Sequence, residues 1–161
     1  MTTAIKRRVA EPSEIRDAIE VMATLNRAAG EVLIDHARSV HACTDVTGYG
    51  LLGHLLEMCQ ASKVSATLEF NTIPLIQGVY ELAQKGFVPG GTKRNMDYVS
   101  SHVNFSKTLS KEQQYLLADA QTSGGLLISV AKDKVADLQN ALNENDFSSF
   151  YEKILENKKL Y

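Results

Sequence analysis

The sequence predicts an α+β domain in which helices are layered against a mixed sheet. Two observations favour this class. Short strand-like segments are interspersed with segments whose apolar residues recur at helical spacing, and glycine-rich loops separate several of them. With 161 residues, the chain is long enough to bury a core without disulfides or a structural metal.

The first half of the chain predicts a helical region, a strand and a second helix. Apolar residues recur every three or four positions from Pro12 to about Arg38, and Gly30 is the expected break because glycine costs roughly 1 kcal/mol against alanine inside a helix. Residues 39–45 are expected to form a short strand that ends at Asp45. Residues 51–59 should form the helix that leaves the following glycine-rich loop.

The second half also predicts strands and helices separated by loops. Gly86 is placed to end one helix, and Ser110 with Gln113 has the form of a capping box that starts another. The expected elements are a strand over 65–70, a helix over 75–85, a short helix to Leu117, a buried strand over 126–130 and an amphipathic helix over 133–142.

Composition and charge exclude several classes of function. Hydrophobic residues make up 44% of the chain, and the net charge is -2 with both signs mixed, which argues against nucleic acid or a membrane surface as partner. We find neither a signal peptide nor an apolar run of membrane-spanning length. Cys43 and Cys59 are expected to be buried thiols in a reducing compartment, so the prediction is a cytoplasmic protein.

Six of the ten glycines fall in three loops, each of which also carries serine or threonine. We call them the first loop (44–50), the second loop (87–95) and the third loop (118–125). Glycine lets another group approach the backbone closely, so such loops form tight turns or cradle a ligand with their N–H groups. Plain turns would explain any one loop, but three of this kind favour binding.

The first loop also matches the dinucleotide fingerprint G-x-G-x-x-G between Gly48 and Gly53, and Glu69 lies where a ribose-binding acid would be expected. Against this interpretation, Asp45 places a negative charge where a pyrophosphate would have to approach the helix. A fingerprint of this kind is weak evidence when it occurs alone.

Asp45 has two interpretations. It could accept hydrogen bonds from loop N–H groups, as aspartate does at turns and helix caps, or it could bind Mg²⁺ that bridges phosphate oxygens. One carboxylate cannot complete a magnesium site, and the sequence has no second acidic cluster. The magnesium hypothesis therefore requires ligands from another domain.

Other polar residues are less informative. The spacing of His41, Cys43, His54 and Cys59 fits no closed zinc site, and a single histidine on a helix is more often a satisfied side chain than a ligand. Several further residues have both a structural and a ligand-binding interpretation, and both stay open: Lys93, Arg94, Asp119, Thr122 and Ser123.

Three motifs together resemble the C-terminal half of the selenophosphate synthetase (selenide, water dikinase) family, in the superfamily of aminoimidazole ribonucleotide synthetase. They are residues 42–58, 87–95 and 121–127, in family order. The resemblance implies a partly ferredoxin-like domain over 13–146, preceded by a linker remnant over 1–12. After Leu142 it fades, leaving a divergent tail over 147–161 that lacks a glycine-bearing closing strand.

The resemblance also implies a reaction and a partner domain. Such enzymes convert ATP, selenide and water to selenophosphate, AMP and phosphate with Mg²⁺, and an N-terminal ATP-binding domain, absent from this chain, carries the nucleophile and most ligands. A homodimer is implied as well. The fragment alone is expected to be inactive, and a stand-alone binding or regulatory module, or a related ATP-dependent enzyme of the superfamily, remains an alternative.

The same resemblance assigns site residues. Asp45 matches the metal-binding aspartate of the C-terminal half, and no catalytic residue is expected in this chain. The residues expected to contact phosphate or line the cleft are Thr47, Gly48, Gly50, Gly90, Gly91, Thr92, Thr122 and Ser123.

Overall fold

The computed structural model describes residues 1–144 and the backbone of residues 153–156. Its elements in chain order are α1 (Thr2–Lys6), α2 (Pro12–Ala23), α3 (Arg27–Asp35), β1 (Val40–Asp45), α4 (Gly50–Ser62), α5 (Val79–Gln84), α6 (Gly90–Val99), α7 (Lys111–Leu117), β2 (Leu126–Val130), α8 (Val135–Glu144) and β3 (Lys153–Glu156). Within the described ranges, no helix has both the length and the apolar character needed to cross a membrane.

A mixed sheet with the order β1-β2-β3 forms the centre of the domain, and helices pack on it, which confirms the predicted α+β class. β1 and β2 are antiparallel, with Asp45 opposite Leu126, whereas β2 and β3 are parallel. This register brings the end of β1 beside the start of β2. The first and third loops therefore meet at one end of the sheet.

Apolar side chains fill both faces of β2. Ile128 and Val130 are fully buried in a cluster with residues of α3 and α8, while the alternate residue Leu127 packs with Leu55 of α4. Successive side chains of a strand point to opposite faces of the sheet, which explains why Leu127 packs on the other side from Ile128 and Val130. Burial on both faces explains why the 126–130 segment is apolar almost throughout.

The break in the first helical region lies at residues 24–26, so the prediction of a break at Gly30 was wrong. Gly30 lies inside α3, and a Cβ at this position would meet nothing within 4 Å. The helix breaks earlier because the Asn26 side chain donates to the carbonyl oxygen of Gly124 at 2.8 Å, a contact 98 residues away in sequence. The helix boundary at residues 24–26 thus coincides with a tertiary hydrogen bond, whereas helix propensity alone predicted the boundary at Gly30.

Two other local predictions were wrong. Residues 65–70 form no strand: Ser65 makes a single bridge and a 3-10 turn begins at Phe70, and Leu68 and Phe70 pack against the apolar cluster around Leu52. The second loop contains a helix, since α6 begins at Gly90 directly after Pro89, whose extended backbone forms the N-cap position.

Several boundaries also shift. α5 begins at Val79, after Gly78 with φ of 81°, and not at residue 75, while the Ser110 capping box is present as predicted. The segment predicted to be a linker remnant contains α1, in which Ala4 is buried.

The tail was expected to lack a glycine-bearing closing strand; β3, which pairs there with β2, contains no glycine. A strand pairs through its backbone and needs no glycine to do so. The other residues of the predicted tail, and the predicted domain end at 146, lie outside the described residues.

Candidate functional site

The first and third loops pack directly on each other through their glycines. Gly50 has a φ of +68°, and a Cβ there would lie 2.7 Å from the carbonyl oxygen of Ala118. A Cβ at Gly124 would overlap the carbonyl oxygen of Val46. Glycine is required at both points because the two backbones approach more closely than any side chain permits.

Helix α6 joins these two loops. The Asn95 side chain donates to the carbonyl oxygen of Gly48 at 2.9 Å and to that of Ala118 at 3.0 Å. One turn earlier, the Thr92 hydroxyl donates to the carboxylate of Asp119. The three glycine segments, which are far apart in sequence, therefore form one continuous surface.

Asp45 lies at the end of β1, where its side chain is exposed. Within residues 1–144, no group donates a hydrogen bond to its carboxylate, and the N-cap residue of α4 is Tyr49. The interpretation of Asp45 as a turn or cap residue is therefore wrong for this structure. Its side chain is exposed to solvent, and binding of a cation by Asp45 stays a prediction.

Cys43, two residues before Asp45, is exposed, so the prediction of a buried thiol was wrong for this residue; Cys59 is half-buried. Although the residue is exposed, partial desolvation of its sulfur, followed by the negative charge of Asp45, raises the pKa of the Cys43 thiol. Burial likewise raises the pKa of Cys59. A raised pKa keeps both thiols protonated at neutral pH, which disfavours either cysteine as a nucleophile.

Asp119 in the third loop has a raised pKa. Burial is the largest cause, and it outweighs the Thr92 hydroxyl, the amino group of Met1 and the Ala120 N–H, which all favour the charged form. Retaining an acid in surroundings that oppose its ionisation is typical of functional positions as well as of polar networks. The sequence left the role of Asp119 open because its contact with Thr92 of α6 joins residues 27 positions apart.

An apolar cavity of about 170 Å³ lies behind the joined loops. Val46 and Leu51 line it from the first loop and α4, and Asp119 and Gln121 supply polar groups from the third loop. Gln121 is held in place because its backbone N–H donates to the carbonyl oxygen of Thr47 at 2.9 Å.

Sequence reasoning treated His54 as an ordinary satisfied side chain and missed its burial and its contacts with Thr47 and Glu57. It is only 8% exposed, and its Nε2 lies 3.3 Å from the hydroxyl oxygen of Thr47. Its Nδ1 lies 3.4 Å from a carboxylate oxygen of Glu57 but makes no aligned hydrogen bond. The available signal was the i, i+3 spacing of an acid after a histidine on one helix.

The structure brings together most of the predicted cleft residues, and their contact with a ligand stays a prediction. Thr92 is 1% exposed, and its hydroxyl already binds Asp119. Gly90 and Gly91 form the first turn of α6, beneath the Arg94 guanidinium. Thr122 is exposed and Ser123 half-buried in the third loop. Across the described part of the chain, no three His, Cys, Asp or Glu side chains converge on a metal position.

Comparison with known proteins agrees with the motifs. The family model described as AIR synthase related protein, C-terminal domain, matches residues 2–152. A selenide, water dikinase of Myxococcus xanthus is 57% identical over 129 residues, which is 80% of this chain and 37% of that protein. One of Caldanaerobacter subterraneus is 41% identical over 162 residues, covering 100% of this chain and 46% of that protein. The chain thus spans less than half the length of these curated relatives, and the predicted resemblance is confirmed.

Proposed function

Because this chain belongs to the family of AIR synthase related proteins, C-terminal domain, we propose that it is the C-terminal domain of a selenide, water dikinase. The 57% identity to the Myxococcus xanthus enzyme supports the proposal. The contacts that join all three glycine segments support it as well, since those segments carry the resemblance to the family.

Asp45 carries the proposed contribution of this domain. Mg²⁺ prefers one or two carboxylates together with waters and phosphate oxygens, and the Asp45 carboxylate is exposed and has no hydrogen-bond donor among residues 1–144. The donor set therefore fits a site that this domain shares. When bound, Mg²⁺ would neutralise charge on the transferring phosphoryl groups of ATP.

The rest of the site belongs to the half of the relatives that this chain does not span. That half would supply the nucleophile, most of the ATP contacts and the remaining carboxylates, and a homodimer in the cytoplasm is part of the same proposal. The isolated chain should accordingly form no AMP from ATP and selenide. Selenide-dependent AMP formation by residues 1–161 alone would contradict this division of labour.

A chimera tests the proposal. The segment of the Myxococcus xanthus enzyme that aligns with this chain is replaced by residues 1–161, and selenide-dependent AMP formation is measured against Mg²⁺ concentration. The chimera should be active. Asp45→Asn in the chimera should sharply weaken turnover because the metal supplies several kcal/mol of transition-state stabilisation.

The matched control is Asp97→Asn, which removes an exposed acid from the outer part of α6. It should leave turnover and the Mg²⁺ dependence unchanged. Near-normal turnover of the Asp45→Asn chimera, with a clearly lowered melting temperature, would return Asp45 to a structural role. A folded but inactive chimera would count against the proposed function itself.

A further inference from the structure

A hydroxyl, an imidazole and a carboxylate form a line beside the first loop. Thr47 Oγ1 lies 3.3 Å from His54 Nε2, and His54 Nδ1 lies 3.4 Å from Glu57 Oε2. The His54 side chain is 10% exposed, while the Glu57 side chain is 50% exposed. The Tyr49 ring and the imidazole form a T-shaped pair, with ring centroids 5.8 Å apart and an interplanar angle of 77°.

The charge of Glu57 decides which nitrogen carries the proton of the neutral ring. A proton on Nδ1 faces the carboxylate and is attracted to it, even though the two groups are not aligned as a full hydrogen bond. With the proton on Nε2, the buried Nδ1 would instead face the negative charge of Glu57 with its lone pair, which is repulsive. The Nδ1–H tautomer is therefore favoured, and Nε2 becomes an acceptor.

We propose that His54 is a positioning residue that fixes the hydroxyl of Thr47 as a donor into the protein. The Thr47 hydroxyl donates a hydrogen bond to Nε2, so the Thr47 oxygen presents only lone pairs to the outside of the loop. The Thr47 backbone is already held, because its carbonyl oxygen accepts from the N–H groups of Gly50 at 3.0 Å and Gln121 at 2.9 Å. Only the hydroxyl rotor is left to be set, and His54 sets it.

The orientation of the Thr47 hydroxyl narrows the kind of ligand expected at the first loop, and this step rests on the proposed function. A hydroxyl whose proton is committed to His54 cannot donate to a phosphate oxygen, but it can accept from water or contact a cation. Thr47 would thus face the cation held by Asp45, two residues earlier, and not the phosphate. The donors for phosphate would be backbone N–H groups of the loop other than those of Val46 and Gly50, which already donate to carbonyl oxygens.

The tautomer can be read directly in the isolated chain. Long-range ¹H–¹⁵N spectra of the labelled protein, recorded where the ring is neutral, distinguish Nδ1–H from Nε2–H, and loss of one signal in His54→Gln assigns the ring among the four histidines. We expect the Nδ1–H form. Glu57→Leu should increase the Nε2–H fraction, whereas the control Glu81→Leu, an exposed acid of α5, should not. An Nε2–H ring in the unmodified chain would overturn the inference.

The chimera supplies the functional readout. Thr47→Val should raise the Mg²⁺ concentration needed for half-maximal turnover by roughly tenfold or more, the usual effect of losing a partner around a metal. Thr47→Ser, which keeps the hydroxyl, should restore it. An unchanged Mg²⁺ requirement in Thr47→Val would overturn the role of Thr47. An inactive unmodified chimera would count against the proposed function alone, and the tautomer would still decide the role of His54.

Discussion

Replacing Asn95 by alanine should destabilise the domain by about 3 kcal/mol. The substitution removes two hydrogen bonds, to the carbonyl oxygens of Gly48 and Ala118, and each contributes about 1 kcal/mol net. Ala118 is fully buried, and its carbonyl oxygen accepts no other hydrogen bond within the described residues, so leaving it unpaired adds about 1 kcal/mol more.

The assay is equilibrium unfolding in urea, with thermal unfolding as a second measurement. For a domain of this size, a loss of about 3 kcal/mol corresponds to a fall in melting temperature of roughly 6–12 °C. The control Asn104→Ala removes an exposed asparagine and should change the free energy of unfolding by less than about 0.5 kcal/mol.

Asn95→Asp separates polarity from packing. It keeps the shape of the side chain but faces two carbonyl oxygens with a negative charge, so at neutral pH it should be more destabilising than Asn95→Ala. Acidification should reduce the difference in stability between Asn95→Asp and Asn95→Ala, because a protonated aspartic acid can donate one hydrogen bond. If Asn95→Ala cost no more than Asn104→Ala, α6 would not be what joins the first and third loops.

Two further predictions concern the joined loops. Because burial raises the pKa of Asp119, its charged form opposes folding, and Asp119→Asn should increase the free energy of unfolding at pH 7. This gain should shrink as the pH falls toward the ordinary carboxylate range, because Asp119 then becomes protonated in the folded protein. Urea unfolding at several pH values measures the gain. A gain that does not depend on pH would refute the argument. Gly124→Ala should destabilise by about 1–3 kcal/mol because its Cβ overlaps the Val46 carbonyl oxygen, whereas Gly30→Ala, in an open helical position, should stabilise by about 0.5–1 kcal/mol. In chemical unfolding, stabilisation by Gly124→Ala would contradict the close contact with Val46, and destabilisation by Gly30→Ala would contradict the helix-propensity argument.

The sequence by itself determined the elements whose signals are local. The strand over 126–130 and the capping box at Ser110 follow from apolar content and from hydrogen bonds within a few residues, and both agree with the structure. The three family motifs likewise identified the relatives that the comparisons found. Patterns of this kind are predictable because the residues that specify them are neighbours in the chain.

Only the tertiary structure decided the features that depend on distant partners. The early end of α2, the packing of Leu68 without a strand and the raised pKa of Asp119 all arise from contacts with segments far away in sequence. The same holds for the site: sequence named Asp45 and the glycine loops, but it could not show that Asn95 joins them. Burial and hydrogen-bond partners are properties of three-dimensional neighbourhoods, which a one-dimensional pattern does not contain.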